Sequence, residues 1–220
     1  MHHFLLLAIS AAALALAAFP ASAQRRCSGT AEPVVRLDFT PSRPAVDTLP
    51  MAELRRLSRD GLGEHQHTLG LYKAELRSSM RLEYAISNDG RNACIGIREV
   101  RIALQLADRR IYLARELQRG SCRHDVTLAH EQLHARIDDT IFSRELPNLK
   151  QALARAALDI GVVGPIPAGN VPSYRDDIGE RVERIFRQEL DRISETRRRE
   201  QGSIDTPEAY RREAARCPGE

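Results

Sequence analysis

The chain has 220 residues, and its 33 Lys and Arg residues nearly balance its 30 Asp and Glu residues, giving a formal net charge of +3 at pH 7. Only 5% of the residues are aromatic, and few of them interleave with the scattered arginines. This pattern argues against a nucleic-acid-binding surface. The length fits one domain with a single hydrophobic core.

The first 23 residues predict a signal peptide. Phe4 to Ala18 is apolar apart from Ser10, and Ala21-Ser22-Ala23 is a small-x-small cleavage site. The apolar run is too short for a comfortable membrane span. We therefore expect cleavage before Gln24 and a periplasmic or secreted mature chain without a membrane span.

Four cysteines follow the predicted cleavage site: Cys27, Cys94, Cys122 and Cys217. An even number of cysteines in an exported protein predicts two disulfide bonds. Three pairings are possible, and we favour Cys94–Cys122, which would staple adjacent elements, with Cys27–Cys217, which would tie the two ends. A zinc ribbon is a poor alternative, because the chain has no CxxC pair.

Residues 24–50 contain four prolines and predict an extended N-terminal arm ahead of one domain over residues 51–220. Two roles for the arm stay open, a pro-segment that covers a cleft and a structural strap held by Cys27. A short helix is expected from Met51 to about Asp60.

Three strands and then several helices are predicted. Period-two alternation indicates strands over 80–86, 95–106 and 111–116, with a polar turn at 107–110 between the last two. They form an antiparallel β-meander. Helices are expected over 121–146, where Pro147 ends or restarts the helix, then over 148–160 and 173–201, with a short C-terminal piece from Thr206. Strands followed by helices predict an α+β domain.

The segment His130-Glu131-Gln132-Leu133-His134 carries the chemistry. Two histidines four residues apart on a helix lie on one face and can reach one Zn²⁺. Zinc lowers the pKa of its water to about 7, so the adjacent carboxylate can accept a proton as that water attacks a carbonyl. We expect His130 and His134 to be zinc ligands and Glu131 to be the general base.

A catalytic zinc site needs a third protein ligand. No histidine follows His134, so a downstream ligand must be a carboxylate. Glu189 lies inside the apolar stripe of the 173–201 helix, where a buried charge needs a partner. It is the preferred third ligand, and a buried salt bridge to an arginine is its alternative. The other candidates are Glu183, Asp205 and the upstream pair His65 and His67.

Two further residues of the motif helix have open roles. Asp138 continues the histidine face, either as an acceptor that orients an imidazole or as a surface acid. His124 lies about one helical turn before the motif. It could hydrogen-bond a reaction intermediate or simply face solvent.

The motif and the strand ahead of it resemble the zincin metallopeptidases. The missing third histidine argues against metzincins and fits the glutamate-liganded type, although the Glu-x-x-x-Asp form of the third-ligand motif is absent. Residues 70–210 are most similar to a family of predicted secreted bacterial zinc-dependent proteases. This resemblance implies export, peptidase chemistry and a small domain. It also implies that an edge strand, Ile111–Glu116 or the strand before it, aligns an extended peptide by strand addition.

The sequence therefore predicts an exported zinc metallopeptidase with one Zn²⁺ and a peptide or protein substrate. A non-catalytic, zinc-stabilised envelope binding or scaffold domain is the second hypothesis. A helical domain with an accidental motif is the third.

Overall fold

The structure of the chain is a computed structural model that describes residues 27, 32–59 and 69–219. The predicted signal peptide and the pair His65 and His67 lie outside these residues. The strands are β1 (Val34–Pro41), β2 (Ala45–Leu49), β3 (Gly70–Asn88), β4 (Asn92–Ala114) and β5 (Val162–Pro167). The helices are α1 (Met51–Arg59), α2 (Cys122–Ile160), α3 (Val171–Gly202) and α4 (Pro207–Ala214), with a 3₁₀ turn at Ala168–Asn170.

The mixed composition of helices and strands is confirmed, but the antiparallel meander is wrong. All five strands form one sheet around β4. One edge of β4 pairs with β3 in an antiparallel hairpin. Along the other edge, three short strands follow one another. β5 pairs with the start of β4 and is antiparallel to it, and β1 and then β2 pair further along and are parallel to it. The residues predicted as an extended arm thus include two strands of this sheet.

β4 is a single strand where two strands and a turn were predicted. The polar residues 107–110 do perturb the backbone, because Asp108 has a φ of 49° and the pairing with β3 shifts register there. Aspartate tolerates this left-handed conformation better than most residues. The strand nevertheless continues, since β2 and β3 pair with β4 on both sides beyond the irregularity.

The hydrophobic core lies between one face of the sheet and helices α2 and α3. Alternate residues of β4, such as Ile102, Leu104 and Leu106, are buried, as the period of two requires. They belong to one apolar cluster with Phe142 and Leu149 of α2. The burial of this face holds α2 at a fixed position against the sheet.

α2 continues through Pro147, where the sequence predicted an end or a restart. Proline inside a helix costs about 3 kcal/mol, because it removes one backbone hydrogen bond and clashes with the preceding turn. Phe142, Leu149 and Leu153, on both sides of the proline, are all 0% exposed. Burial of side chains of this size contributes about 1.5–3 kcal/mol each, which outweighs the proline penalty.

The disulfides pair Cys27 with Cys94 and Cys122 with Cys217, so the favoured pairing is wrong. Cys94 lies near the start of β4 and Cys122 follows its other end. At about 3.3 Å per residue, on the order of 60 Å of strand separates these positions. Disulfide bonds require Cα atoms about 4.4–6.8 Å apart. Disulfides of this kind are typical of proteins in oxidising compartments.

None of the helices in the described part of the chain is long and apolar enough to cross a membrane.

Candidate metal centre

α2 presents both histidines of the motif at its buried side. The helix begins at Cys122, and the hydroxyl of Ser121 caps it by accepting a hydrogen bond from the His124 backbone. His130 and His134 lie two to three turns further on and are only 6% and 7% exposed. Their Nε2 atoms are 3.1 Å apart. The predicted convergence of the two imidazoles is therefore present.

A carboxylate from the segment after α3 completes the group. Oδ1 of Asp205 is 2.9 Å from Nε2 of His130 and 3.1 Å from Nε2 of His134. His130, His134 and Asp205 are the residues among those described that form a potential metal-binding group. Asp205 was one of the alternative third ligands, and the structure brings it to the histidines.

The three ligand atoms suit a tetrahedral metal ion. Zn–N and Zn–O bonds of about 2.0–2.1 Å place tetrahedral ligand atoms about 3.3 Å apart, close to the separations between these three atoms. Nδ1 of His130 donates to Oε1 of Glu213 over 2.8 Å, and Nδ1 of His134 donates to Oε1 of Gln201. The neutral imidazoles then direct Nε2 lone pairs at one another and at the carboxylate. Such an arrangement requires a cation, which is either a proton or a metal ion.

In the metal-free protein, protons supply that positive charge. Burial lowers the pKa of His130, but the hydrogen bond to Asp205 and the nearby carboxylates of Glu131 and Glu213 raise it to about 9. The pKa of His134 is also raised, because its contacts with Asp205 outweigh its burial. Burial raises the pKa of Asp205, yet the hydrogen bonds from both histidines hold it well below its usual range.

Glu131 lies beside the metal-binding group, against the first residues of β3. It is 5% exposed, and the backbone N–H of Tyr72 donates a hydrogen bond to it. Burial raises the pKa of Glu131 to about 7, although the positive charges of His134 and His130 oppose this effect. A Cβ atom on Gly70 would lie 2.5 Å from Oε1 of Glu131, so only glycine allows this close approach.

The motif opens into a cleft of about 240 Å³. Residues from α1, β3, α2, α3 and α4 line it, including Leu57, Leu71, Glu131, His134, Asp205 and Tyr210. The hydroxyl of Tyr210 donates to Oδ1 of Asp205 over 2.8 Å, and its ring lies 5.5 Å from that of His130. Burial and the Asp205 carboxylate raise the pKa of this tyrosine.

Glu189 is not brought to the histidines. Its carboxylate accepts a hydrogen bond from Nε of Arg192 in a partly exposed salt bridge, whereas the alternative from the sequence was a buried one. Gln201, which contacts His134, is on the same helix but 12 residues further on, or about 18 Å along the axis. The apolar stripe of α3 does contain this partly buried glutamate, but the part of α3 that faces the motif lies further along the helix.

The other candidate residues from the sequence have partners outside the metal-binding group. Glu183 pairs with Arg187 on the surface of α3. Asp138 is fully buried and contacts neither imidazole directly, and its carboxylate accepts two hydrogen bonds from Arg197. It is therefore not a surface acid. Nδ1 of His124 is 2.9 Å from the carboxylate of Asp125, its neighbour in the chain.

Sequence reasoning missed Gln201, Tyr210 and Glu213. All three contact a residue of the metal-binding group, yet none belongs to a recognisable motif. The pairing Cys122–Cys217, which the sequence analysis did not favour, would have pointed to Tyr210 and Glu213, because it holds the end of α4 near the start of α2.

Comparison of the chain with protein-family models, with curated proteins and with solved structures gives no match.

Proposed function

We propose that this protein is an exported zinc-dependent peptidase in which His130, His134 and Asp205 hold the ion and Glu131 is the general base. The observation that carries the proposal is the convergence of three ligand atoms, 2.9–3.1 Å apart, beside a buried glutamate at the wall of a cleft. Two histidines and one carboxylate are a known ligand set of catalytic zinc, with the fourth position left to water or substrate. In this proposal the third zinc ligand is Asp205, whereas the sequence favoured Glu189.

The residues of the chain have separate tasks in peptide hydrolysis. When bound, zinc acidifies water and polarises a carbonyl oxygen. Glu131 accepts a proton during attack and returns it to the leaving amine. The backbone N–H of Tyr72 donates a hydrogen bond to the Glu131 carboxylate and so orients it for this proton transfer.

The start of β3 is the proposed binding edge for an extended peptide. The two segments that the sequence offered, Ile111–Glu116 and the strand before it, lie largely in β4. β4 is paired on both edges, for example at Ile111 with Val46 and Tyr72, so it has no edge left for a further strand. Gly70 to Ala74 line the cleft, and within the described residues β3 pairs only with β4. Main-chain hydrogen bonds from this edge would align a substrate by strand addition.

The decisive experiment combines metal analysis with the variant Glu131→Gln. The wild-type protein is expected to contain one zinc ion per chain and to cleave peptides. The variant should keep its zinc and lose about 10²–10⁴-fold in turnover, the range for a general base. Glu180→Gln is the matched control, because that exposed glutamate of α3 lies outside the cleft.

Two results would contradict the proposal in different ways. Stoichiometric zinc without hydrolysis in the wild type would favour the non-catalytic binding or scaffold domain. Protein purified without added zinc that holds no metal, and binds none on titration, would mean that the motif is accidental.

The binding edge is testable without altering the protein. Peptide substrates with N-methyl groups at alternate amides should lose kcat/KM, whereas methylation of the intervening amides should not. Equal effects at every position would exclude strand addition.

A further inference from the structure

The orientation of one side-chain amide determines the tautomer of His134. The Nε2 nitrogen of Gln201 donates to the backbone carbonyl of His134 over 3.1 Å and to Oδ1 of Asp138 over 2.9 Å. Both partners are acceptors without a hydrogen, so they must face the nitrogen of the amide. The amide oxygen then faces Nδ1 of His134. Because a carbonyl oxygen only accepts, Nδ1 carries the hydrogen and the neutral ring leaves Nε2 free to bind a cation.

Asp138 is the anchor of this amide. Its side chain is fully buried, and an isolated buried charge would be very costly. Arg197 compensates the charge with two hydrogen bonds of 2.8 Å, and Tyr72 donates its hydroxyl over 3.0 Å. The Tyr72 hydroxyl itself accepts from Nε of Arg109 over 2.9 Å, which leaves its hydrogen for Asp138. The donors around Asp138 therefore fix its position, and with it the position of Gln201.

The network joins four elements of the fold behind the metal-binding group. Arg109 belongs to β4, Tyr72 to β3, Asp138 to α2, and Arg197 and Gln201 to α3. Nδ1 of His130 has a different type of partner, the Glu213 carboxylate of α4. Each imidazole is thus oriented separately, one by a carboxylate near the surface and one by a neutral amide anchored in the interior.

We infer that Gln201 is a positioning residue for the metal site: its amide, anchored by Asp138, holds His134 in the tautomer and ring orientation that point Nε2 at His130 and Asp205. This inference rests on the proposed function, because the ion it serves is the same zinc. Residues that support a metal-binding histidine typically change metal affinity by about 10–100-fold when they are replaced. Gln201 does not touch substrate in this role and acts only through His134.

The test measures zinc affinity, by competition with a chelator, in the wild type and in Gln201→Leu. Gln188→Leu is the matched control, since Gln188 is an exposed glutamine of the same helix. Gln201→Leu should bind zinc about 10–100-fold more weakly, whereas Gln188→Leu should match the wild type. A second readout is the Nδ1–H signal of His134 in ¹⁵N-edited NMR spectra of the zinc-loaded protein. This signal should be protected from exchange in the wild type and lost in Gln201→Leu.

Gln201→Glu covers the case in which the leucine variant does not fold. A glutamate has no N–H to donate to Asp138 and would place two carboxylates side by side, so the anchor is lost. Gln201→Glu should therefore also bind zinc about 10–100-fold more weakly, and wild-type zinc affinity in this variant would overturn the inference. Wild-type zinc affinity and an unchanged signal in Gln201→Leu would overturn the positioning role while leaving the proposed function intact. A wild-type protein that binds no zinc would overturn both.

Discussion

Oδ1 of Asp205 lies 2.9 Å from Nε2 of His130, although the two residues are 75 positions apart in the chain. Asp205 follows the end of α3, and Thr206, the next residue, caps α4 by accepting a hydrogen bond from the backbone of Ala209. The carboxylate is therefore held at the junction of two helices. This junction, rather than the middle of α3, supplies the acid that the two histidines require.

Replacement of Asp205 by alanine should weaken zinc binding by more than about 100-fold, because a direct ligand matters more than a residue that only supports one. Glu189→Ala is the control, since Glu189 pairs with Arg192 and should leave the zinc affinity unchanged. Both affinities can be measured by chelator competition. Equal losses in the two variants would mean that Asp205 is not the third ligand.

Gly70→Ala should abolish hydrolysis and spare zinc binding. The added methyl group would lie 2.5 Å from Oε1 of Glu131 and 2.7 Å from Cγ2 of Thr127, so the glutamate would have to move. At Gly169, by contrast, a Cβ would meet no atom within 4 Å. Gly169→Ala therefore serves as the control in assays of turnover and zinc content. Normal turnover in Gly70→Ala would show that Glu131 does not act from this position.

Zinc affinity should rise with pH up to about pH 9. The raised pKa of His130, about 9 in the metal-free protein, means that this imidazole is protonated at pH 7. Zinc binds only the neutral ring and must displace the proton. Below the pKa, each displaced proton weakens binding up to about tenfold per pH unit.

The released protons can be counted by calorimetry in buffers of different ionisation enthalpy. We expect at least one proton per zinc ion at pH 7 and fewer above pH 9. An affinity that does not change between pH 6 and 9 would contradict the network around His130.

The two disulfides should differ in their effect on the metal site. Cys122→Ser with Cys217→Ser should release α4, and with it the contacts of Tyr210 and Glu213 to the metal-binding group. Cys27→Ser with Cys94→Ser removes the other bridge, which joins Cys27 to β4. Loss of either bridge should cost about 2–5 kcal/mol of stability, measured by denaturant unfolding.

Only the first double variant should also lose zinc affinity. Equal zinc affinity in the two double variants, at a temperature where both are folded, would show that α4 does not support the site.

The sequence predicted the residues of the site that lie close together on α2, but not those that come from distant positions in the chain. His130, Glu131 and His134 follow from the helical repeat, because residues four apart share a face whatever the rest of the chain does. Gln201 and Asp205 depend on how α2 and α3 pack. The contacts His134 to Gln201, Asp138 to Arg197 and Glu145 to Arg192 show that the two helices run antiparallel.

This antiparallel register explains the error over Glu189. The Gly/Pro segment 161–170 reverses the chain, so residues at similar distances from it face each other. Glu189 is too close to the reversal to reach the motif, whereas Asp205 is about as far from it as His130 is. The antiparallel hairpin of α2 and α3 therefore favours Asp205. The periodicity of α3 alone gives the face on which a residue lies but not its position along the helix axis.

The strand errors have a different cause. The segment 107–110 has turn-like residues, but the pairing of β4 on both edges keeps the strand continuous. Likewise, the Gly/Pro segment 161–170, which lies between two predicted helices, contains β5, because the start of β4 offers it an edge. Long-range pairing overrides local turn propensity at both places. The disulfide pairing failed for the same reason, since it depends on where strands end in space.

The order of residues along the chain also determines when each ligand of the metal site is synthesised. Asp205 follows His134 by 71 residues. At the usual 5–20 residues per second, a ribosome needs roughly 4–14 s to add that length. During this interval the nascent helix carries two imidazoles without their carboxylate, and Cys122 still awaits Cys217. The group of His130, His134 and Asp205 is therefore complete only after residue 205 has been added.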